Sequence, residues 1–97
     1  MASEEPYGLS LAAPAARALT IGPPRGLAAP AAAAIAEFLT SALLTEPHRV
    51  GKPLDRELAG YRAARRGPYR VVYRIDEDKH VVHVVRIDHR ADVYRPR

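Results

Sequence analysis

The chain has no cysteine and no tryptophan, and a single methionine and a single phenylalanine. Without cysteine there is neither a disulfide framework nor a thiolate metal site, which removes the secreted mini-protein and zinc-finger classes and makes a reducing compartment the default. Long apolar runs are missing too. The longest, Leu27 to Ala36, is interrupted by Pro30 and ends at Glu37, too short to span a bilayer core of about 30 Å. Glu4 and Glu5 stand ahead of Pro6 where a signal peptide would be basic. A cytoplasmic protein without a membrane partner is expected. The four histidines, His48, His80, His83 and His89, are scattered, and none shows the i, i+4 pairing with a carboxylate that zinc hydrolases use. No metal and no cofactor are expected.

What is present is positive charge in one place. Between His48 and Ile75 there are eight Lys or Arg residues against Asp55 and Glu57, more than the net +4 of the whole chain. Such a stretch is the electrostatic footprint of a surface that grips RNA or DNA phosphates, with a solvated basic face as the competing reading. The 97 residues, 47% hydrophobic and 27% charged, have the composition of one globular domain over 1–97 and not of a disordered tail.

Tyr7 to Ala12 alternates loosely and suits a first strand. Pro14 fits the first turn of a short helix over Ala15 to Leu19, which Gly22-Pro23-Pro24 stops. Pro30 opens a second helix in which Ile35, Phe38, Leu39, Ala42 and Leu43 make one apolar stripe as far as Pro47. The period then turns strand-like in three segments, Ala59 to Arg65, Tyr69 to Asp76 and Lys79 to Asp88, with reversals at Gly67-Pro68 and Asp76-Glu77-Asp78. They read as an antiparallel meander. In its middle strand Tyr69, Val71, Tyr73 and Ile75 face one way, and Arg70, Val72 and Arg74 the other. An α+β fold follows, β-α-α-β-β-β, with a helical hairpin on one face of a mainly antiparallel twisted sheet and a basic opposite face. Arg70 and Arg74 should project there beside whichever of Arg62 or Arg65 the neighbouring strand presents. Tyr69 and Tyr73 are expected in the core.

Three pieces in order, Val50-Gly51-Lys52-Pro53-Leu54, Gly60-Tyr61-Arg62-Ala63-Ala64-Arg65-Arg66-Gly67-Pro68-Tyr69-Arg70-Val71-Val72-Tyr73 and His89-Arg90-Ala91-Asp92-Val93-Tyr94-Arg95, resemble the RelE/ParE toxin superfamily, and most of all its RelE-type mRNA interferases. The resemblance implies the RelE-like fold, a toxin of a type II toxin-antitoxin system, cleavage of translated mRNA on the ribosome, and neutralisation by a RelB-like or other acidic antitoxin. It implies catalytic positions at Arg62, Arg65 or Arg66, Arg70, Arg90 and Tyr94. Some RelE toxins carry two lysines on the strand where this chain has Arg62 and Ala64. ParE-type members share the fold and are associated with gyrase inhibition, and a basic module that binds RNA or the ribosome without cutting is a third reading.

Attack by a ribose 2′-hydroxyl needs a base, cationic donors for the phosphorane and an acid for the leaving oxygen. Arginine suits the charged state because its planar fork holds two phosphate oxygens and stays protonated; Arg70 and Arg90 are the choices for that role. Proton transfer falls to Tyr94 or His89, or to a group of the mRNA or ribosome. Lys52, Arg56, Arg66, Arg74, His89 and Arg95 are expected to contact RNA or ribosome.

Overall fold

A computed structural model describes residues 5–89. In chain order they form β1 (Gly8–Leu11), α1 (Ala13–Thr20), α2 (Ala29–Thr40), α3 (Ala42–Thr45), α4 (Pro47–Val50), β2 (Lys52–Pro53), a 3-10 turn (Arg56–Leu58), β3 (Arg62–Arg66), β4 (Tyr69–Asp76) and β5 (Val81–His89). The helices pack on a five-stranded sheet of order β1-β5-β4-β3-β2. β1 pairs parallel with β5, and every other pair is antiparallel.

Pro14 and Pro30 lie in the first turns of α1 and α2, where a missing N–H costs no helical bond. The expected single helix to Pro47 is instead divided into α2, α3 and α4. At the break the Ser41 hydroxyl donates to the Glu37 carbonyl at 2.6 Å and the Thr40 hydroxyl to Ala36 at 2.9 Å, back-bonds that compete with the helical ladder. The stripe survives the break. Ile35, Phe38, Leu39 and Leu43 are buried with Ala15 and Leu27 against Ala64, Val71, Tyr73, Val82, Val84 and Ile87 of the sheet.

The sheet has one more strand than the sequence pattern suggests. β2 is two residues long, lies at the edge, and contains Pro53, which has no N–H to offer a further strand. β4 alternates as expected: Val71 and Tyr73 are buried in the core, and Arg74 is exposed. β5 does not keep one phase. Its partners step from Val72↔Arg86 to Tyr73↔Val84, so Val85 is an extra residue, a β-bulge. Before it Val82 and Val84 face the helices; after it Ile87 does so, and Arg86 turns to the other side.

Candidate anion-binding site

The face of the sheet away from the helices is built of three cross-strand rows. Lys52, Ala63, Val72 and Arg86 form one; Arg65, Arg70 and Asp88 the next; Arg74, His83 and Ser10 lie on the far side of the first. Val72 is 1% exposed but outside the helix-side core cluster, so with Ala63 it makes a small apolar floor between longer basic side chains. Two arginines, Arg65 and Arg70, stand directly opposite one another, an arrangement that destabilises a sheet unless an anion lies between them.

At one side this face opens into a cleft of about 370 Å³ bordered by Arg49, Lys52, Arg65 and Arg70, with no carboxylate among the described residues lining it. Arg70 is half-buried, and its Nε is buried without a hydrogen-bond partner among the described residues. A buried guanidinium donor normally finds an acceptor. Neither Arg65, Arg70 nor Lys52 makes a salt bridge among the described residues, so their charges stay available to a ligand. Asp88, across from Arg70, is instead engaged by Arg86, whose Nε donates to Oδ2 at 2.7 Å. Near Arg74, the Asp76 carboxyl is held below its ordinary value chiefly by the Lys79 backbone N–H, with smaller help from Lys79, His83 and Arg74.

Other expected site residues lie elsewhere. Arg62 shares the helix-side face with Tyr73 and does not join the cleft: its Nε is buried without a partner among the described residues, as in Arg70, but its terminal nitrogen donates to the His48 carbonyl at 2.7 Å and to that of Gly51 at 3.0 Å. It satisfies the end of α4. Beside it the buried Tyr73 hydroxyl donates to the Pro47 carbonyl at 2.6 Å, and burial raises its pKa, with Arg62 opposing. Gly51 fits under this ring because it has no side chain; a β-carbon there would collide with the Tyr73 hydroxyl and lie 2.9 Å from the Ala63 carbonyl oxygen. Arg66 is also on the helix side, its guanidinium 3.9 Å over the Phe38 ring, a packing contact. His89 packs edge-on against Tyr69 at 5.2 Å, on the helix-side row. Arg56 sits with φ 58° in the 3-10 turn, exposed and not among the residues lining the cleft. Arg90, Tyr94 and Arg95 lie outside the described residues.

Sequence reasoning passed over Arg49, Arg86 and Asp88. Arg49 was legible as part of the basic run. Arg86 was not, since strict alternation from Val82 and Val84 would have put it under the helices. A polar network at the other end of the sheet also went unnoticed: the Tyr7 hydroxyl donates to Glu77 at 2.8 Å, His48 Nε2 is 2.5 Å from the second Glu77 oxygen, and His80 stacks on Tyr7 at 3.8 Å.

A family model described as the ParE toxin of the type II toxin-antitoxin system parDE matches residues 23–94. Among relatives, the chain is 51% identical over 90 residues to toxin RelG of Mycobacterium tuberculosis, covering 93% of this chain and 98% of that protein. It is 44% identical to toxin RelE of the same organism, covering 98% and 93%. A solved toxin-antitoxin complex, RelBE2 of M. tuberculosis, contains a chain 48% identical with a TM-score of 0.77, covering 93% of this chain and 98% of that one. The archaeal RelE of the RelE-RelB complex from Pyrococcus horikoshii, at 21% identity, TM-score 0.66 and coverage of 89% and 97%, shares the fold. With the family model spanning most of the chain and relatives this similar over nearly all of it, the protein belongs to the RelE/ParE family of toxins of type II toxin-antitoxin systems.

Proposed function

We propose that this toxin is a metal-independent, ribosome-dependent endoribonuclease that cleaves translated mRNA and is silenced by a cognate antitoxin. The observation that carries the reading is the position of Arg70, directly opposite Arg65 in a cleft whose described lining has no carboxylate, with its buried Nε unpartnered among the described residues. A phosphate in that cleft supplies the missing acceptor and relieves the repulsion between the two arginines. Cleavage breaks the bond from phosphorus to the 5′-oxygen as the neighbouring 2′-oxygen attacks, so negative charge builds on the phosphorane oxygens between the guanidinium forks. Lys52 and Arg74 hold flanking phosphates. Arginine keeps its proton below about pH 12, so the proton transfers fall to Tyr94 or His89, or to a group of the mRNA or ribosome, with Arg90 as a further donor. Arg62 and Arg66, tied to α4 and Phe38, serve the fold.

The solved RelBE2 relative is a toxin-antitoxin complex, and the same control is inferred here: an acidic, partly disordered antitoxin folds over the basic face and the outer helix surfaces. The test is to map mRNA ends after brief expression of the chain. New ends within translated regions, absent when ribosomes are stalled before initiation and absent on co-expression of a cognate antitoxin, support the reading. Growth arrest with intact mRNA and accumulated gyrase-DNA breaks selects the gyrase poison that the ParE family name raises. Ribosome binding without new ends selects the non-catalytic module.

A further inference from the structure

We propose that Arg86, aimed by Asp88, is a third arginine of the RNA-contacting face. This rests on the endoribonuclease reading above and adds to it a residue that neither the basic run nor the cleft lining singles out. The bulge at Val85 makes the placement possible. It re-phases β5 so that Ile87 fills the core and Arg86 comes out opposite Val72 on the open face. A bulge sacrifices regular ladder pairing and is favoured where a side chain must be re-aimed; here the side chain gained by the open face is Arg86. Diagonal neighbours across an antiparallel pair sit roughly 7 Å apart, which puts Arg86 beside Arg70, across the apolar floor of Val72 and Ala63 from Lys52.

The second observation is how the guanidinium is held. Asp88, two residues on along the same strand, takes the Nε–H at 2.7 Å. That fixes the plane of the fork, while its two terminal nitrogens make no hydrogen bond among the described residues. Arg86 remains half-exposed. A guanidinium whose inner N–H is engaged and whose outer edge is open is pre-set for two oxygens of one phosphate. The nearby Arg70 presents the opposite case, a buried inner nitrogen with no acceptor among the described residues. Together they make a paired grip on the RNA backbone, with Asp88 as a positioning residue that meets no RNA.

The test compares Arg86→Gln, Arg86→Lys and Asp88→Asn with the parent chain, and uses Arg17→Gln, at an exposed position of α1, as a charge-matched control. The readouts are affinity for a short single-stranded RNA across a salt series, single-turnover cleavage of ribosome-bound mRNA, and thermal unfolding. Arg86→Gln should cut the salt slope by about 0.7, the loss of one single-strand phosphate contact, and slow cleavage about 10-fold or more, the scale of a charged hydrogen bond. Arg17→Gln should leave cleavage unchanged. Arg86→Lys should keep the slope and stay slow, because the point charge lacks the fork. Asp88→Asn adds to the net positive charge, yet should slow cleavage without weakening RNA binding. A parent that cleaves while Arg86→Gln matches the Arg17→Gln control in both slope and rate overturns this inference alone. Full rescue by Arg86→Lys overturns the aiming role of Asp88. A parent that neither binds RNA nor cleaves overturns the endoribonuclease reading itself.

Discussion

The two faces of the sheet use the same residue type in opposite ways. On the helix side, Arg62 spends its terminal nitrogen on two backbone carbonyls and Arg66 lies over an aromatic ring. On the open side, Arg65 and Arg70 face one another without a salt bridge among the described residues; Arg62 and Arg70 both keep a buried Nε unpaired among these residues, but of the two only Arg62 has its terminal nitrogen engaged. An internal partner makes an arginine part of the fold; lack of one leaves its charge for a ligand, at a cost that a stability-optimised sheet would have removed.

The largest effect expected from breaking this contrast is on activity. Arg70→Ala should reduce ribosome-dependent cleavage by about 10² or more, the scale for losing one transition-state donor, while thermal stability stays level or rises as the repulsion with Arg65 disappears. Parental cleavage together with lost stability would invert the roles of the faces. Arg62→Ala should do the reverse, lowering unfolding free energy by about 2 kcal/mol as two carbonyls of the α4 end lose a charged donor, with the folded fraction still cleaving. Denaturant unfolding beside single-turnover rates separates the two.

The smallest effect belongs to the exposed network at the other end of the sheet, where pH alters stability and leaves the cleft alone. Hydrogen bonds first from Tyr7 and then from His48 hold the Glu77 carboxyl below its ordinary 4.5. The bond to Glu77 likewise holds the Tyr7 hydroxyl above 10.0. A lowered carboxylate stabilises the fold above its unfolded pKa, and this is lost as pH falls through the lowered folded value. A raised phenol stabilises below 10.0 and loses this as pH rises through the raised value. Glu77→Gln should therefore be less stable than the parent at neutral pH, and the gap in thermal unfolding should close in acid. A gap that persists unchanged at acid pH would show that the carboxylate's charge contributes nothing.

The architecture was legible where the pattern had contrast. In β4 large apolar and basic residues alternate, and the reversals at Gly67-Pro68 and Asp76-Glu77-Asp78 are marked by turn chemistry. Contrast fails in β3, where Ala63 and Ala64 are adjacent and equally small, so the sequence could not say whether Arg62 or Arg65 joins Arg70; packing against α4 decides it. In β5 the phase depends on the bulge, which moves Arg86 outward and sends His89 to the helix side with Tyr69. A short edge strand holding Pro53 reads as a loop. The part of the candidate site expected at Arg90, Tyr94 and Arg95 falls beyond the described residues.

The fit of Gly51 beneath Tyr73 carries a genetic consequence. One added methyl group there meets the hydroxyl that secures α4 and a backbone oxygen of β3, and any relief must displace the strand bearing Lys52. Selection for cells that survive the unopposed toxin should thus recover Gly51→Ala alongside losses of guanidinium groups. A toxin can thus be disarmed at a residue that carries no charge, through the backbone that one added carbon would displace.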